Sequence, residues 1–336
     1  MIKKLGRQTA EFIAPVYISS HAAVGGRKEG TGPLGADFDM IVSDDKMGQD
    51  SWELAESALM RTAAELAIKK GKLTAADIDY ALSGDLQNQC AAAHYALRDM
   101  KIPFFGLYGA CSTMCESLSL GAILIASGLA KRTLCVTSSH YCSAEKQYRS
   151  PLEYGGQRPP SAQWTVTGSG AAILSDSIGD IKITHITTGM IVDKGVKDIA
   201  NMGAAMAPAA IDTITAHFND TGRSPSDYDL IVTGDLGQVG SDILCDLMCR
   251  DGLDIKSRHA DCGKMIYDMI KQDVHAGGSG CGCCASVFCG HLMRSLNSGT
   301  YKRILLTATG ALMNPLTVGE GESIPVIAHS VAIERG

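Results

Sequence analysis

Residues 109–113 read Gly-Ala-Cys-Ser-Thr, and this stretch decides the fold more than any other part of the chain. It follows a strand-like run at residues 103–107 and precedes small and apolar residues at helical spacing over residues 114–128. The pattern predicts a strand, a tight turn that carries Cys111, and a helix. Unpaired N–H groups and the positive end of the helix dipole at such a turn favour either a reactive thiolate or a bound carboxylate.

The composition is that of a globular α/β protein. The chain has 336 residues, of which 45% are hydrophobic and 20% charged, enough for two domains or one large unit. A net charge of −6 argues against a nucleic-acid partner. The twelve cysteines, without the apolar region of a signal peptide, predict free thiols in a reducing compartment. Because no apolar run approaches the roughly 20 residues of a spanning helix, we expect a soluble chain whose membrane association is peripheral.

The second half of the chain repeats the first. The run Tyr-Ala-Leu-Ser-Gly-Asp-Leu at residues 80–86 recurs as Leu-Ile-Val-Thr-Gly-Asp-Leu at residues 230–236. A helix end followed by a strand, at residues 127–134, recurs in the same order at residues 298–305. Two ordered matches predict a duplicated α/β protein.

The predicted halves are residues 1–178 and residues 179–336. In a duplicated α/β pair the natural ligand site lies where strand C-termini of both halves converge. Cys111 occupies such a position in the first half. Its counterpart in the second half is Cys-Gly-Cys-Cys at residues 281–284, before a helix-like segment at residues 285–296.

These motifs resemble the thiolase fold, particularly its β-ketoacyl-acyl carrier protein synthase III branch. The resemblance rests on residues 109–113 and on Trp-Thr-Val-Thr-Gly-Ser-Gly-Ala-Ala-Ile-Leu at residues 164–174, where Ser169 stands at the family's Asp position. It implies a thiolase-like fold of duplicated βαβαβαββ halves in a five-layered α/β arrangement. It also implies a homodimer formed through a sheet edge near the nucleophile strand.

The resemblance fails at two catalytic positions. Synthases of this branch use a Cys-His-Asn triad, but here Gly234 aligns with the His and Cys281 with the Asn. Loss of the proton relay and of the oxyanion donor costs roughly 10²-fold or more each. The sequence therefore predicts a pseudoenzyme without a cofactor. The alternative is an acyl-transferring enzyme in which Cys111 is the nucleophile and His140 or His259 the base.

The chain also resembles a non-catalytic thiolase-like family of spore-forming bacteria, through Gly-Gly-Ser-Gly-Cys-Gly-Cys-Cys-Ala-Ser-Val at residues 277–287. This resemblance implies binding of dipicolinic acid, as the acid or its calcium chelate, during uptake into the developing spore and release in germination. It further implies membrane proteins of the same sporulation complex as partners, at the spore inner membrane.

Dipicolinate is a flat pyridine with two carboxylates, so its site needs N–H groups, hydroxyls or a cation, and a slot for the ring. The expected members are the turn residues Cys111 and Ser112, the amide donors Gln87 and Asn88, the cation or donor His140, the calcium contact Asp85, and Cys281. For Asp85 the alternative is a capping role, for His140 a structural one, and for Cys111 burial as a small apolar side chain. Asp235, which follows the second Gly-Asp strand end, is predicted to be a cap.

Three other segments receive simpler interpretations. The cysteines at residues 281–284 lack paired Cys-x-x-Cys knuckles, so no metal site is expected, and their small size suits tight helix packing. The glycine-rich residues 25–35 are predicted to be an exposed loop. The charged residues 145–158 are predicted to be a solvated loop or dimer arm, with Arg149 or Arg158 guiding a ligand as the alternative.

Overall fold

The structure is a computed structural model that describes residues 1–148, 158–177 and 179–336. The strands are β1 Ile2–Lys4, β2 Thr9–Gly25, β3 Met40–Ile41, β4 Tyr80–Gly84, β5 Phe104–Gly106, β6 Arg132–Ser139, β7 Trp164–Thr165, β8 Gly168–Ser175, β9 Ile181–Thr187, β10 Leu230–Thr233, β11 His259–Asp261, β12 Gly278–Ser279, β13 Arg303–Ala311 and β14 Val326–Arg335. The helices are α1 Arg27–Gly30, α2 Trp52–Lys70, α3 Ala91–Leu97, α4 Thr113–Ala126, α5 Tyr141–Tyr148, α6 Met202–Thr221, α7 Gly237–Arg250, α8 Cys262–Met265, α9 Cys281–Val287, α10 Met293–Ser298 and α11 Pro315–Gly319.

The strand order is the same in both halves of the chain. Along the described sheet it runs β11-β10-β13-β14-β9-β2-β8-β6-β4-β5, so that β9, β14, β13, β10 and β11 repeat the arrangement of β2, β8, β6, β4 and β5. In each half the last two pairings are parallel and the earlier two are antiparallel. The expected duplicated α/β fold is confirmed. The boundary at residue 178 falls outside the described residues and stays a prediction.

Equivalent aspartates make the same hydrogen bonds within each half. The Asp79 carboxylate accepts hydrogen bonds from the N–H groups of Lys131 and Arg132 at 2.7 and 2.9 Å. Asp229 accepts the same two bonds, at the same lengths, from Lys302 and residue 303. The repeat in sequence is therefore also a repeat in local chemistry.

The layers alternate helix and strand, with α4 and α9 at the centre. α2 covers the outer face of β2 and β8, and α6 covers β13 and β14, while α4 and α9 lie between the sheet halves. α9 lies close to the sheet because of glycine: a Cβ on Gly170 would lie 2.0 Å from the carbonyl oxygen of Ala285, and one on Gly282 would lie 2.2 Å from that of Gly168. The expected tight packing of the small-residue helix is confirmed.

α2 has nineteen residues, and its ends show why it forms. The Ser51 hydroxyl caps the first turn by accepting a bond from the Leu54 N–H at 3.2 Å, and Lys69 and Lys70 occupy the last turn. Its alanines and Leu59 form the buried face. Among the described residues, no helix is both long and apolar enough to cross a membrane.

Two loop predictions were wrong. Within residues 25–35, α1 forms a helical turn and buries Glu29 to 1% exposure, so this segment is not simply an exposed loop. At residues 145–148 the chain is the second half of α5, with Glu145 buried, rather than a solvated excursion. Charged side chains are seldom buried. The charged residues in both segments therefore favoured the prediction of exposed loops. Arg149 lies outside the described residues.

Candidate ligand-binding site

A cavity lies between the two halves, with about 670 Å³ of empty space, part of which is open to solvent. The first half and α5 contribute Leu86, Tyr108, Ala110, Cys111, Ala144, Glu145, Tyr148 and Thr165. The second half contributes Ile199, Met202, Met206, Asp235, Ser279, Ala311 and Met313. Both halves therefore form the site, as the duplication predicts.

Cys111 lies at the expected turn and lines the cavity. It belongs to a single helical turn, Ala110–Ser112, that leads into α4, and Ala110 adopts a left-handed φ of 50°. Burial, and then the nearby Asp235 carboxyl, raise the pKa of the Cys111 thiol well above its usual range. Ser112 is fully buried and donates its hydroxyl to the Gly109 carbonyl at 2.7 Å, so it stabilises the turn rather than facing the cavity.

Asp235 is the residue that sequence analysis undervalued. It follows β10, is fully buried, lines the cavity, and lies close enough to Cys111 to raise the pKa of its thiol. Its carboxylate also accepts bonds from the Gly280 N–H at 3.0 Å and the Thr309 hydroxyl at 2.9 Å. Burial raises its pKa to about 7 despite these bonds. Asp235 therefore fixes the start of α9 and also faces the Cys111 thiol.

Gly234 occupies a position with little room for a side chain. A Cβ there would lie 3.1 Å from the Ala308 Cα and 3.2 Å from the Cys284 Cβ. An imidazole at this position would force the β13 backbone and α9 apart. The group that faces Cys111 from this strand end is a carboxyl, one residue later.

The loop after β4 uses its polar groups internally. Asp85 is fully buried, and its carboxylate accepts the N–H groups of Gln87 and Ala93, both at 2.8 Å. This is the capping role that sequence analysis left open. The Gln87 amide donates to buried Glu56 at 2.9 Å, and the exposed Asn88 donates its N–H to Gln147 at 3.0 Å. The structure places Leu86 in the cavity wall, whereas these three predicted members lie behind it.

The two histidines considered as cation or base lie away from the described cavity lining. His140 accepts the Cys142 N–H at its Nδ1 and donates from Nε2 to the Asp45 carbonyl at 2.9 Å. Burial lowers its pKa, which favours the neutral ring that these contacts need. His259 contacts Thr233 at 2.9 Å, and its pKa is lowered to about 4 by burial.

Cys281 lies at the start of α9, next to the cavity floor. Its thiol donates to the Ser138 carbonyl at 2.9 Å, and it packs with Leu86, Ala110 and Ala144. Burial raises its pKa well above the usual range for a thiol. Cys281 supports these lining residues from beneath and holds the start of α9 against β6.

α5 supplies a wall of the cavity that sequence analysis missed. Its residues Ala144, Glu145 and Tyr148 line the space, opposite Tyr108 from the loop after β5. The Tyr108 hydroxyl donates to that of Tyr148 at 2.6 Å, and Tyr148 donates to the Leu86 carbonyl. Arg158 lies over the Trp164 ring, with 4.5 Å between its Cζ and the ring centroid.

Solved structures with the same architecture define the class of fold. The 3-oxoacyl-(acyl-carrier-protein) synthase III of Aquifex aeolicus superposes with a TM-score of 0.59 at 13% identity, covering 95% of this chain and 99% of that one. Human mitochondrial 3-ketoacyl-CoA thiolase gives a TM-score of 0.59 at 14% identity, covering 96% and 99%. The chain has the thiolase-like fold, as the resemblance implied.

Sequence similarity then defines the family. The family model described as stage V sporulation protein AD (SpoVAD) matches residues 6–334. Stage V sporulation protein AD of Bacillus subtilis (strain 168) is 47% identical over 334 residues, which is 99% of this chain and 98% of that protein. The chain belongs to the stage V sporulation protein AD family.

Proposed function

We propose that the protein binds dipicolinate in the cavity at Cys111 and does not catalyse acyl transfer. The observation that carries this proposal is that the buried Asp235 carboxyl and the Cys111 thiol line the same cavity. A carboxyl next to the thiol raises its pKa, whereas a catalytic cysteine needs a neighbour that lowers it. A protonated thiol at a helix start can still donate a hydrogen bond to a ligand carboxylate.

The two histidines considered as the base of the alternative enzyme are poorly suited to that role. His140 is buried and His259 half-buried, desolvation lowers the pKa of both rings, and both are hydrogen-bonded to other partners, so neither supports the role that sequence analysis considered for it. Asp235 could accept the proton of Cys111, but a carboxyl with a pKa of about 7 and a thiol pKa raised far above that make the transfer unfavourable. Binding without chemistry is the use that fits these groups.

The charge of the cavity favours the calcium chelate as the bound form. Asp235 and Glu145 line it, and none of the lining residues that the structure describes is lysine, arginine or histidine. A bare dianion would meet like charge in a poorly solvated space. A calcium ion held between the two carboxylates of dipicolinate neutralises the ligand and accepts oxygen ligands readily. Tyr108 and Tyr148 provide flat walls for the pyridine ring.

Isothermal titration tests the proposal directly. Dipicolinate would be titrated into wild type and into Cys111→Ala, with and without calcium, with isophthalate as a ligand that lacks the ring nitrogen. We expect saturable binding of dipicolinate, strengthened by calcium and weakened about tenfold by Cys111→Ala, the effect of a charge-assisted hydrogen bond. Cys249→Ala, at an exposed thiol on α7, is the matched control.

Two results would contradict the proposal. The first is the absence of dipicolinate binding under every condition. The second is a stable acyl group on Cys111 after incubation with acyl-CoA, detected by mass spectrometry, which would favour the acyl-transfer alternative.

We further propose that the protein acts during dipicolinate uptake in sporulation and release in germination, with membrane proteins of the same complex at the spore inner membrane.

A homodimer through the sheet edge at β5 is part of this proposal. β5 ends the described strand order, and Phe105 on it is 47% exposed. Analytical ultracentrifugation of wild type and Phe105→Asp would test the dimer, which the charge should dissociate.

A further inference from the structure

α5 is attached differently at its two ends. Near its start, the Ser143 hydroxyl donates to buried Glu56 at 2.5 Å. Tyr141 stacks on Trp164 with ring centroids 3.9 Å apart. Near its end, Gln147 and Tyr148 bond to one short stretch of backbone, residues 86–88, and Lys146 adds an exposed ion pair with Glu53. The start of α5 is therefore anchored to the core, and its last turn is held by a local set of polar contacts.

The last turn is held by Gln147 and Tyr148. The Gln147 side chain binds both ends of residues 86–88. Its amide donates to the Leu86 carbonyl at 2.8 Å, and its oxygen accepts the Asn88 N–H at 3.0 Å. Tyr148 donates to the same Leu86 carbonyl and accepts from Tyr108. Because Leu86, Tyr108 and Tyr148 all line the cavity, these bonds close one wall of it.

The stretch that receives these bonds continues into strained backbone. Gln89 and Cys90 adopt consecutive left-handed conformations, with φ of 60° and 56°. Side chains with a Cβ disfavour this region, and such strain persists only where surrounding contacts impose it. Releasing α5 from residues 86–88 would let this loop relax, and that relaxation would offset part of the loss of the hydrogen bonds.

We propose that α5 is the gate of the cavity, and that its last turn detaches from residues 86–88 to admit the ligand and docks again behind it. The helix pivots on the Ser143–Glu56 bond, which stays in place. The proposal rests on the proposed function for the identity of the ligand, but the opening itself can be measured with no ligand present.

Cys111 lines the cavity, so chemical modification of its thiol reports how often the gate opens. N-ethylmaleimide would be reacted with wild type, Gln147→Ala, Tyr148→Phe and Lys146→Ala, and modification of Cys111 would be followed by peptide mass spectrometry. Lys146→Ala is the matched control, because it removes only an exposed contact of α5 with Glu53 on α2, 2.6 Å long. Hydrogen exchange of α5 would be measured on the same proteins.

We expect Gln147→Ala, which removes two hydrogen bonds, to speed both Cys111 modification and exchange in α5 about 25-fold, roughly fivefold for each net bond, and Lys146→Ala to change neither. Tyr148→Phe, which keeps the ring, should act in the same direction. If both variants are folded by circular dichroism and react no faster than Lys146→Ala, the gate is wrong. If they react faster but saturating dipicolinate slows Cys111 modification in none of the proteins, the gate stands and the proposed function fails.

Discussion

At the scale of single residues, the two Gly-Asp strand ends show how one motif can serve two purposes. Asp85 uses both carboxylate oxygens to hold backbone N–H groups of its own loop. Asp235, at the equivalent place, holds the Gly280 N–H and the Thr309 hydroxyl, and contacts Cys111 of the other half. The sequence predicted Asp85 as the ligand contact and Asp235 as the cap, although nothing local distinguishes them. Which of them reaches the cavity depends on how the halves pack.

The pair of Asp235 and Cys111 makes a direct prediction about thiol reactivity. Asp235→Asn removes a negative charge next to the thiol, so the pKa of Cys111 should fall. At pH 8, its alkylation rate should then rise about tenfold for each unit by which the pKa falls. The measurement is the pH dependence of Cys111 modification by iodoacetamide, resolved by mass spectrometry. Asp242→Asn, at an exposed position on α7, should react like wild type; equal rates for all three proteins would show that Asp235 does not hold the thiol protonated.

At the scale of elements, the central helix α9 depends on close backbone contact with β8. Gly170 faces the carbonyl of Ala285, so any side chain at this position would push the helix away from the sheet. Gly170→Ala should therefore lower the free energy of unfolding by about 1–3 kcal/mol or more, the range for overpacked cores. Urea unfolding followed by circular dichroism would measure it. Gly319→Ala is the control, because a Cβ there meets nothing within 4 Å. A Gly170→Ala protein as stable as the control would refute the close contact.

The elements also show what the sequence could and could not predict. α4 and the strands of the repeat were predicted with bounds close to those observed, because helical spacing of apolar residues and the repeated runs mark them in the sequence. α5 has only eight residues, too few for a helical period to be recognised among charged residues. Its burial follows from tertiary contacts, such as that of Ser143 with Glu56, which join residues 87 positions apart. One wall of the cavity therefore could not be predicted from local sequence.

At the scale of the whole molecule, buried histidines and buried carboxyls have opposite effects on how stability depends on pH. His21, His185, His259 and His329 each have a pKa lowered to about 4 by burial, so they add stability as pH rises toward their usual range. Buried carboxyls act in the opposite direction. Burial raises the pKa of Glu29 and Asp235 to about 7 and that of Asp261 to about 6. A comparison of wild type with a variant at one carboxyl removes the histidine contribution.

Glu29 is the best group for that comparison, because it is fully buried and lies outside the described cavity lining. Its folded pKa of about 7 is above the unfolded value of about 4.3, so the native state keeps a proton that the unfolded chain releases, and stability falls as pH rises between these values. Glu29→Gln keeps an oxygen for the Tyr267 hydroxyl and the Thr167 N–H but cannot ionise. From pH 5 to pH 8 the variant should gain on the order of 2 kcal/mol in unfolding free energy relative to wild type.

Urea unfolding at both pH values measures this gain, and Glu65→Gln, exposed on α2, should show none. A constant difference between wild type and Glu29→Gln would mean that Glu29 is ionised in the folded protein at pH 5.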